Sequence, residues 1–287
     1  MQIRQIWPLL KETFSKWSDH DAPRLGASLA FYTILSLAPL LIIVIAIVSL
    51  IFGHDAAQDQ IANQLRDLIG QSGADAVKTM LASSHEASSG VVATVIGVIT
   101  LLLGASGVCG ELRAALNKMW DAKPAGGSGF MGMIKEKSFA FGMVLAIGFL
   151  LLVSLVVSAG LAAVGKFASG LLPIPPFVLE ILNFLVSFGV ITLLFALIYK
   201  YVPDVKIEWH DVWIGATATA LLFTIGKFLI GLYLGKAGVG SAYGAAGSLI
   251  AVIVWVYYSA QIFFFGAEFT QVYAHAERDG APIPPQR

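Results

Sequence analysis

Six long stretches without a charged side chain constrain this chain more than any other feature. They run over residues 25–53, 87–110, 138–165, 181–199, 212–226 and 237–267. A helix needs about 20 consecutive apolar residues to cross roughly 30 Å of hydrocarbon. Four stretches exceed that length, 181–199 nearly reaches it, and 212–226 reaches it if Lys227 lies inside the span. The predicted span cores are 30–52, 90–110, 140–163, 178–200, 212–234 and 245–270.

The composition agrees with a chain that lies in a bilayer. Hydrophobic residues make up 57% and charged residues 13% of the sequence, with a mean hydropathy of +0.80. A soluble domain has about 45–50% apolar and about 25% charged residues. The stretches are apolar throughout and do not alternate, and a helix satisfies its own backbone hydrogen bonds within the membrane. We therefore predict an all-α, polytopic membrane protein with six transmembrane helices.

The Lys and Arg side chains between the predicted spans indicate the orientation. Thirteen of the 18 fall on one side and four on the other, with Lys227 inside a span. Because cytoplasmic loops carry the excess of basic residues, both termini are predicted to be cytoplasmic. Acidic and basic residues balance at 18 each, so no excess positive field suggests a nucleic-acid partner.

Three segments outside the spans complete the predicted domain organisation. Residues 1–24 have apolar residues at mostly three- to four-residue steps with basic residues between them, which predicts an amphipathic helix in the cytoplasmic interface. Residues 25–275 form one six-helix transmembrane domain. Within it, residues 54–89 form a periplasmic loop with two amphipathic stripes. Residues 276–287 are predicted to be a disordered cytoplasmic tail.

The residues that could carry chemistry do not form an enzyme signature. The five histidines do not have the spacing of metal ligands, and no nucleophile elbow or Cys–His signature is present. We therefore expect no metal, no cofactor and no enzymatic activity. Gly231 and Gly235 have the small-residue spacing that lets helices approach closely, which also makes a homo-oligomer plausible.

Ionisable residues near the inner ends of spans two and six form the strongest candidate site. Charged groups in spans are costly and usually face a bundle interior or a cavity. A carboxylate near a helix C-terminus also faces an unfavourable dipole, so Glu268 needs a cationic partner, and Arg24 and Arg113 are predicted for that role. The predicted cluster comprises Arg24, Glu111, Arg113, Asn117 and Glu268. It is interpreted either as a structural lock between spans one, two and six or as a gate or a headgroup or proton site.

A second, weaker candidate lies on the outer side. Lys227 is predicted to lie about two helical turns from the outer end of span five, and its long stem would let the ammonium group extend to the interface. Together with Lys166 and Lys236 it could contact an anionic lipid in the outer leaflet.

Motifs at residues 21–40, 114–120, 201–203 and 243–270 resemble those of the YihY/BrkB family of bacterial inner-membrane proteins. The resemblance implies a six-span inner-membrane protein whose activity is largely undefined, and an earlier ribonuclease label for the family is regarded as mistaken. It also implies family associations with serum resistance and, in one branch, with export of lipid A precursors. Besides Asn117 and Glu268, the positions that match family motifs are Tyr32, Ser36, Pro39, Trp120 and Gln261.

The family offers no firm catalytic assignments, so packing roles are the default interpretation of these positions. Pro39 is expected to kink a helix, Trp120 to anchor at the interface, and Gln261 to make an interhelical hydrogen bond. The leading functional hypothesis is binding, transport or flipping of an anionic amphipathic envelope lipid. The alternatives are a structural or scaffolding protein that recruits envelope proteins, and a transporter of small solutes or ions. Membrane lipids are the expected partners, and protein partners are unknown.

Overall fold

The computed structural model describes residues 6–36, 91–122, 176–236 and 247–279. These residues form six helices and no strand, which confirms the all-helical class for the described part of the chain. The helices are α1 (Ile6–Asp19), α2 (22–36), α3 (Val91–Met119), α4 (Pro176–Tyr201), α5 (Trp209–Lys236) and α6 (Gly247–Asp279).

Three helices in the described residues are long and apolar enough to cross a membrane. Their candidate spans are Phe184–Tyr201, Trp209–Tyr233 and Leu249–Arg278, which overlap predicted spans four, five and six. Predicted span two lies within α3, apart from its first residue. Predicted span three and most of span one lie outside the described residues, as do the loop 54–89 and Pro39. A membrane protein is therefore supported, while six spans and cytoplasmic termini stay predictions.

Two predicted boundaries differ from the helices. A turn at His20 and Asp21 separates α1 from α2, so the boundary predicted at residue 24 falls inside α2. Asp21 has a φ of 57°, a left-handed conformation that ends a helix and that Asp tolerates better than most residues. At the other end, α6 continues to Asp279, so the first residues of the predicted tail are helical. Ion pairs from Arg278 to Asp211 and Glu208 hold this last turn against the start of α5.

Small residues allow α5 and α6 to pack closely side by side. Gly215 of α5 faces Thr270 of α6, and Gly266 of α6 faces Thr219 of α5, so that a Cβ on either glycine would overlap the threonine. Each helix thus presents a glycine and a threonine four residues apart, and the two pairs meet in antiparallel order. Such spacing lets two helix backbones approach closely within a membrane.

An aromatic cluster joins α4 to this helix pair. The fully buried Tyr199 hydroxyl donates a hydrogen bond to the Phe263 carbonyl at 2.7 Å and lies 3.1 Å from Thr219 Oγ1. The ring of Phe195 lies between Tyr199 and Phe223. We call Phe195, Tyr199, Thr219, Phe263 and Gly266 the aromatic seam. Since its buried hydroxyl groups have partners, the seam excludes water without leaving an unpaired donor.

Candidate functional site

One end of the bundle collects most of the ion pairs among the described residues. Here α1, α3, α4 and α6 end and α5 begins, and we call it the charged end. The charges fall into three groups, which lie where α1 meets α3 and α6, where α3 meets the α4–α5 connection, and where α5 meets α6.

The first group is built around Glu268, a carboxylate inside the candidate span of α6. Its Oε1 lies 2.6 Å from Nδ1 of His20, the first residue after α1, and its side chain is 0% exposed. Among the described residues, no hydrogen-bond partner reaches Oε2 of Glu268. A buried polar atom without a partner costs free energy, and ionisable groups kept in such places are usually functional.

Two further contacts surround the His20–Glu268 pair. One helical turn before His20, Lys16 donates a hydrogen bond of 2.8 Å to Gln271 Oε1 on α6. Beyond α3, Asp121 places Oδ1 3.7 Å from His20 Nε2, and Gln271 Nε2 lies 3.4 Å from Asp121 Oδ2. We call Lys16, His20, Asp121, Glu268 and Gln271 the junction cluster, because it joins α1, α3 and α6.

Two aspartates link α1 and α3 reciprocally. Asp21 follows α1 and accepts a hydrogen bond of 3.0 Å from Lys118 of α3, while Asp121 follows α3 and faces His20. Both aspartates have left-handed backbones, with φ of 57° and 50°. The Lys118 ammonium beside Asp21 holds the pKa of that carboxyl below its usual range.

The second group contains two of the predicted site residues. The guanidinium of Arg113 donates two hydrogen bonds to the carboxylate of Asp204, on the α4–α5 connection. The Asn117 amide donates to Asp204 Oδ2 and accepts from the Asp204 backbone N–H, both at 2.7 Å. The third group is the set of ion pairs between Arg278 on α6 and the residues that begin α5.

The structure therefore divides the predicted cluster and gives Glu268 a different partner. Arg113 and Asn117 meet on Asp204, whereas Arg24 is exposed and pairs with Asp21 in its own turn. Glu111 lies half-buried on α3. Glu268 meets His20 instead of Arg24 or Arg113, which corrects the predicted pairing. The cause is the turn at residues 20 and 21, which directs His20 toward α6 and leaves Arg24 at the surface.

Sequence reasoning missed His20, Lys16, Asp121, Gln271 and Asp204. One available signal was the spacing along α1, where a stripe of residues recurs every three or four positions: Leu9, Thr13, Lys16 and His20. Leu9 and Thr13 are buried, which identifies this stripe as the side of α1 that packs on the protein. The pairing across 248 residues of sequence had no local signal.

The opposite side of α1 is apolar and uncovered. Trp7 is 76% exposed and Phe14 60% exposed, with Leu10 also exposed between them. Lys11 lies on the same exposed side. This arrangement is typical of an amphipathic helix that lies in a membrane interface, with its apolar side in the bilayer.

The remaining family-motif positions serve packing. Tyr32 and Ser36 of α2 lie against Gly107 and Gly104 of α3, where a Cβ would overlap them. The Gln261 amide of α6 donates a hydrogen bond of 3.5 Å to the Ala22 carbonyl at the start of α2, which confirms the predicted interhelical bond. Trp120 packs, partly buried, against the main hydrophobic core.

The outer lysines are only partly within the described residues. Lys227 lies half-buried on α5, Lys236 is the last residue of α5, and Lys166 lies outside the described residues. A Cβ added at Gly231 would meet nothing within 4 Å, so the described helices do not pack at that position. Within residues 6–36, 91–122, 176–236 and 247–279, no group of three or more His, Cys, Asp or Glu side chains could hold a metal ion.

Comparison with known proteins assigns nearly the whole chain to one protein family. The family model described as Virulence factor BrkB matches residues 13–287. No solved structure matches the chain.

Curated relatives agree with this match. A UPF0761 membrane protein of Tolumonas auensis is 30% identical over 266 residues, covering 88% of this chain and 81% of the relative. A relative of the same name from Mannheimia succiniciproducens is 23% identical and covers 94% and 91% of the two chains. The relative from Verminephrobacter eiseniae is longer, and the match at 29% identity spans 57% of its length. The chain therefore belongs to the BrkB family of membrane proteins.

Proposed function

We propose that this chain is an inner-membrane protein with six transmembrane helices and cytoplasmic termini, and that it handles an anionic amphipathic lipid of the envelope. In this proposal it binds, moves or flips the lipid and does not act as an enzyme. The observation that carries the proposal is the two-sided packing of α1. One side is joined to the bundle through the junction cluster, and the other leaves Trp7 and Phe14 uncovered.

This packing supports a particular depth for the candidate site. Aromatic side chains such as Trp7 favour the boundary between lipid tails and headgroups. Because Lys16 and His20 join α1 to α6, the junction cluster lies at the same level as α1. The site would then lie at the depth of lipid headgroups, where a buried polar group can meet a lipid phosphate or sugar.

Basic side chains at that level would attract an anionic headgroup. Lys11 is exposed beside the aromatic side of α1, and Arg24 is exposed just after the turn. Near a membrane surface each basic residue contributes about 1 kcal/mol to attraction for anionic lipids. Among the described residues Arg24 pairs with Asp21, and because this pair is exposed and weak, a phosphate could replace that partner at little cost.

Native mass spectrometry of the gently solubilised protein tests the proposal. The parent should retain one defined anionic lipid in a fixed ratio. A Lys11→Gln/Arg24→Gln variant should retain it at least tenfold less, since two attractive charges are lost. Lys206→Gln is the matched control, because Lys206 is also an exposed lysine at the charged end, on the α4–α5 connection.

Lipid handling fails if the folded parent carries only bulk phospholipid in no fixed ratio, or if the control loses as much lipid as the double variant. A structural or scaffolding role would then lead. The ion pairs of Arg113 with Asp204 and of Arg278 with Asp211 favour that alternative, since they join helices to each other. The same spectra count the chains in each particle and so test the homo-oligomer.

A further inference from the structure

Three residues of the junction cluster form a graded series from solvent to the bundle interior. The side chain of Asp121 is 69% exposed, that of His20 is 16% exposed, and that of Glu268 is 0% exposed. His20 lies between the two carboxylates, with Nε2 3.7 Å from Asp121 and Nδ1 2.6 Å from Glu268. Each of its ring nitrogens therefore faces a different carboxylate.

We infer that Asp121, His20 and Glu268 form a proton relay that loads Glu268 from the charged end of the bundle. An imidazole suits this role because each ring nitrogen can gain or lose a proton near neutral pH. The distance from His20 to Glu268 is already that of a short hydrogen bond. A small side-chain rotation would bring Asp121 Oδ1 from 3.7 Å to hydrogen-bonding distance of Nε2.

The proton balance of the relay is complete without another reactant. The imidazole begins neutral, with its proton on Nδ1 donated to Oε1 of Glu268. A solvent proton that passes Asp121 is accepted by Nε2, and the Nδ1 proton moves to Glu268. The imidazole ends neutral in its other tautomer, and the net change is one proton added to the Glu268 carboxylate.

Besides His20, one cation and one anion among the described residues lie near Glu268. Lys16 on α1 is the nearby cation, and it is held by Gln271, while Asp121 after α3 is the nearby anion. From α5, Gly215 and Thr219 meet α6 beside this turn and neither of them titrates, while α4 contributes the Tyr199 hydroxyl. Oε2 has no partner among the described residues, which makes the charged form costly to keep buried, and a proton lowers that cost.

The relay goes beyond lipid handling and does not depend on it. A proton that arrives at Glu268 changes the charge at the contact between α1 and α6, whatever the chain binds. Native mass spectrometry tests the lipid, whereas the experiment below measures the proton, so either proposal can fail alone.

Infrared difference spectroscopy of the purified full chain, recorded in pH steps in H₂O and D₂O, tests the relay. The wild type should show a protonated-carboxyl band that appears on acidification and shifts in D₂O. The band should be absent from Glu268→Gln and present in Asp211→Asn. Asp211 is the matched control because it is another buried carboxylate at the charged end, paired with Arg278.

The rate of deuterium exchange at the carboxyl band tests whether the proton passes through His20 and Asp121. His20→Gln keeps a hydrogen-bonding side chain but cannot carry a proton, so deuterium exchange at the band should slow at least tenfold. Asp121→Asn should slow it severalfold. An unchanged band in Glu268→Gln, or an unchanged rate in His20→Gln, would overturn the relay.

If a variant does not fold, NMR of the wild-type protein with ¹⁵N-labelled histidine still tests the relay. One of the five imidazoles should exchange its protonated nitrogen in step with the carboxyl band. Five imidazoles that keep their tautomers while the band appears would contradict the relay.

Discussion

The aromatic seam and the junction cluster both hold α6 in place, but they do so in opposite ways. In the seam, the buried Tyr199 hydroxyl has two partners, and Gly266 lets the backbones of α5 and α6 approach closely. In the junction cluster, a carboxylate inside a span keeps one oxygen without a partner among the described residues. A buried group that is fully paired makes the fold more rigid, whereas a partly paired one costs free energy, and an ionisable group kept inside a span is a candidate for function. The comparison therefore separates the part of α6 that supports the fold from the part for which we propose a proton relay.

The largest expected effect is steric and lies beside the seam. Gly215→Ala places a methyl group against Thr270, which should lower the free energy of unfolding by about 1–3 kcal/mol. Gly231→Ala on the same helix is the control, because its Cβ meets nothing and Ala favours a helix over Gly. Thermal unfolding can be followed by dye labelling of the single, buried Cys109. Equal melting temperatures for the two variants would show that α5 and α6 are not closely packed at Gly215.

The next effect concerns the buried hydroxyl of the seam. Tyr199→Phe leaves the ring in place but removes the hydrogen bond to Phe263 and the contact with Thr219, which should cost about 1 kcal/mol. Tyr201→Phe changes the same group two residues later, where the ring is exposed, and should be neutral. The same Cys109 assay measures both. A neutral Tyr199→Phe would mean that the hydroxyl does not hold α4 to α6.

The smallest effect concerns the Asp21–Lys118 pair outside the spans. The pKa of Asp21 is lowered in the folded state. The pair therefore stabilises the fold at pH values above the usual pKa of aspartate, and this stabilisation is lost as the pH falls through the lower pKa of the folded state. Lys118→Gln should therefore lower the melting temperature slightly at neutral pH. The difference in melting temperature between Lys118→Gln and the wild type should vanish only well below about pH 4, the usual pKa of aspartate. A difference that grows on acidification would contradict the pairing.

The spans could be predicted from sequence to the extent that they depend on local composition. Long apolar runs, the one for α5 interrupted by Lys227, identified α4, α5 and α6, because crossing a bilayer requires about 20 apolar residues whatever the neighbours are. The end of α6 was missed, since Glu277 and Arg278 look like a solvated tail until their partners on α5 are known.

For the candidate site, the sequence could predict only the depth of its residues in the membrane. Topology placed Glu268, Arg113 and Asn117 at one end of the bundle, and there the structure finds them. The pairing could not be predicted, because it depends on how α1 turns at Asp21 and on which side of α3 faces the α4–α5 connection. Arg24 and Arg113 were predicted as partners because they are cations at the depth of Glu268, while the structure places a histidine against it.

The most direct test of the difference between the two regions is the stability of Glu268→Gln, measured by Cys109 labelling beside Tyr199→Phe. Glutamine keeps the size and one hydrogen bond to His20 while removing the buried charge. The variant should unfold at the same temperature as wild type or higher, as expected where a charge is retained for function at a cost in stability. If Glu268→Gln instead lowers the melting temperature more than Tyr199→Phe does, the junction cluster is a structural lock.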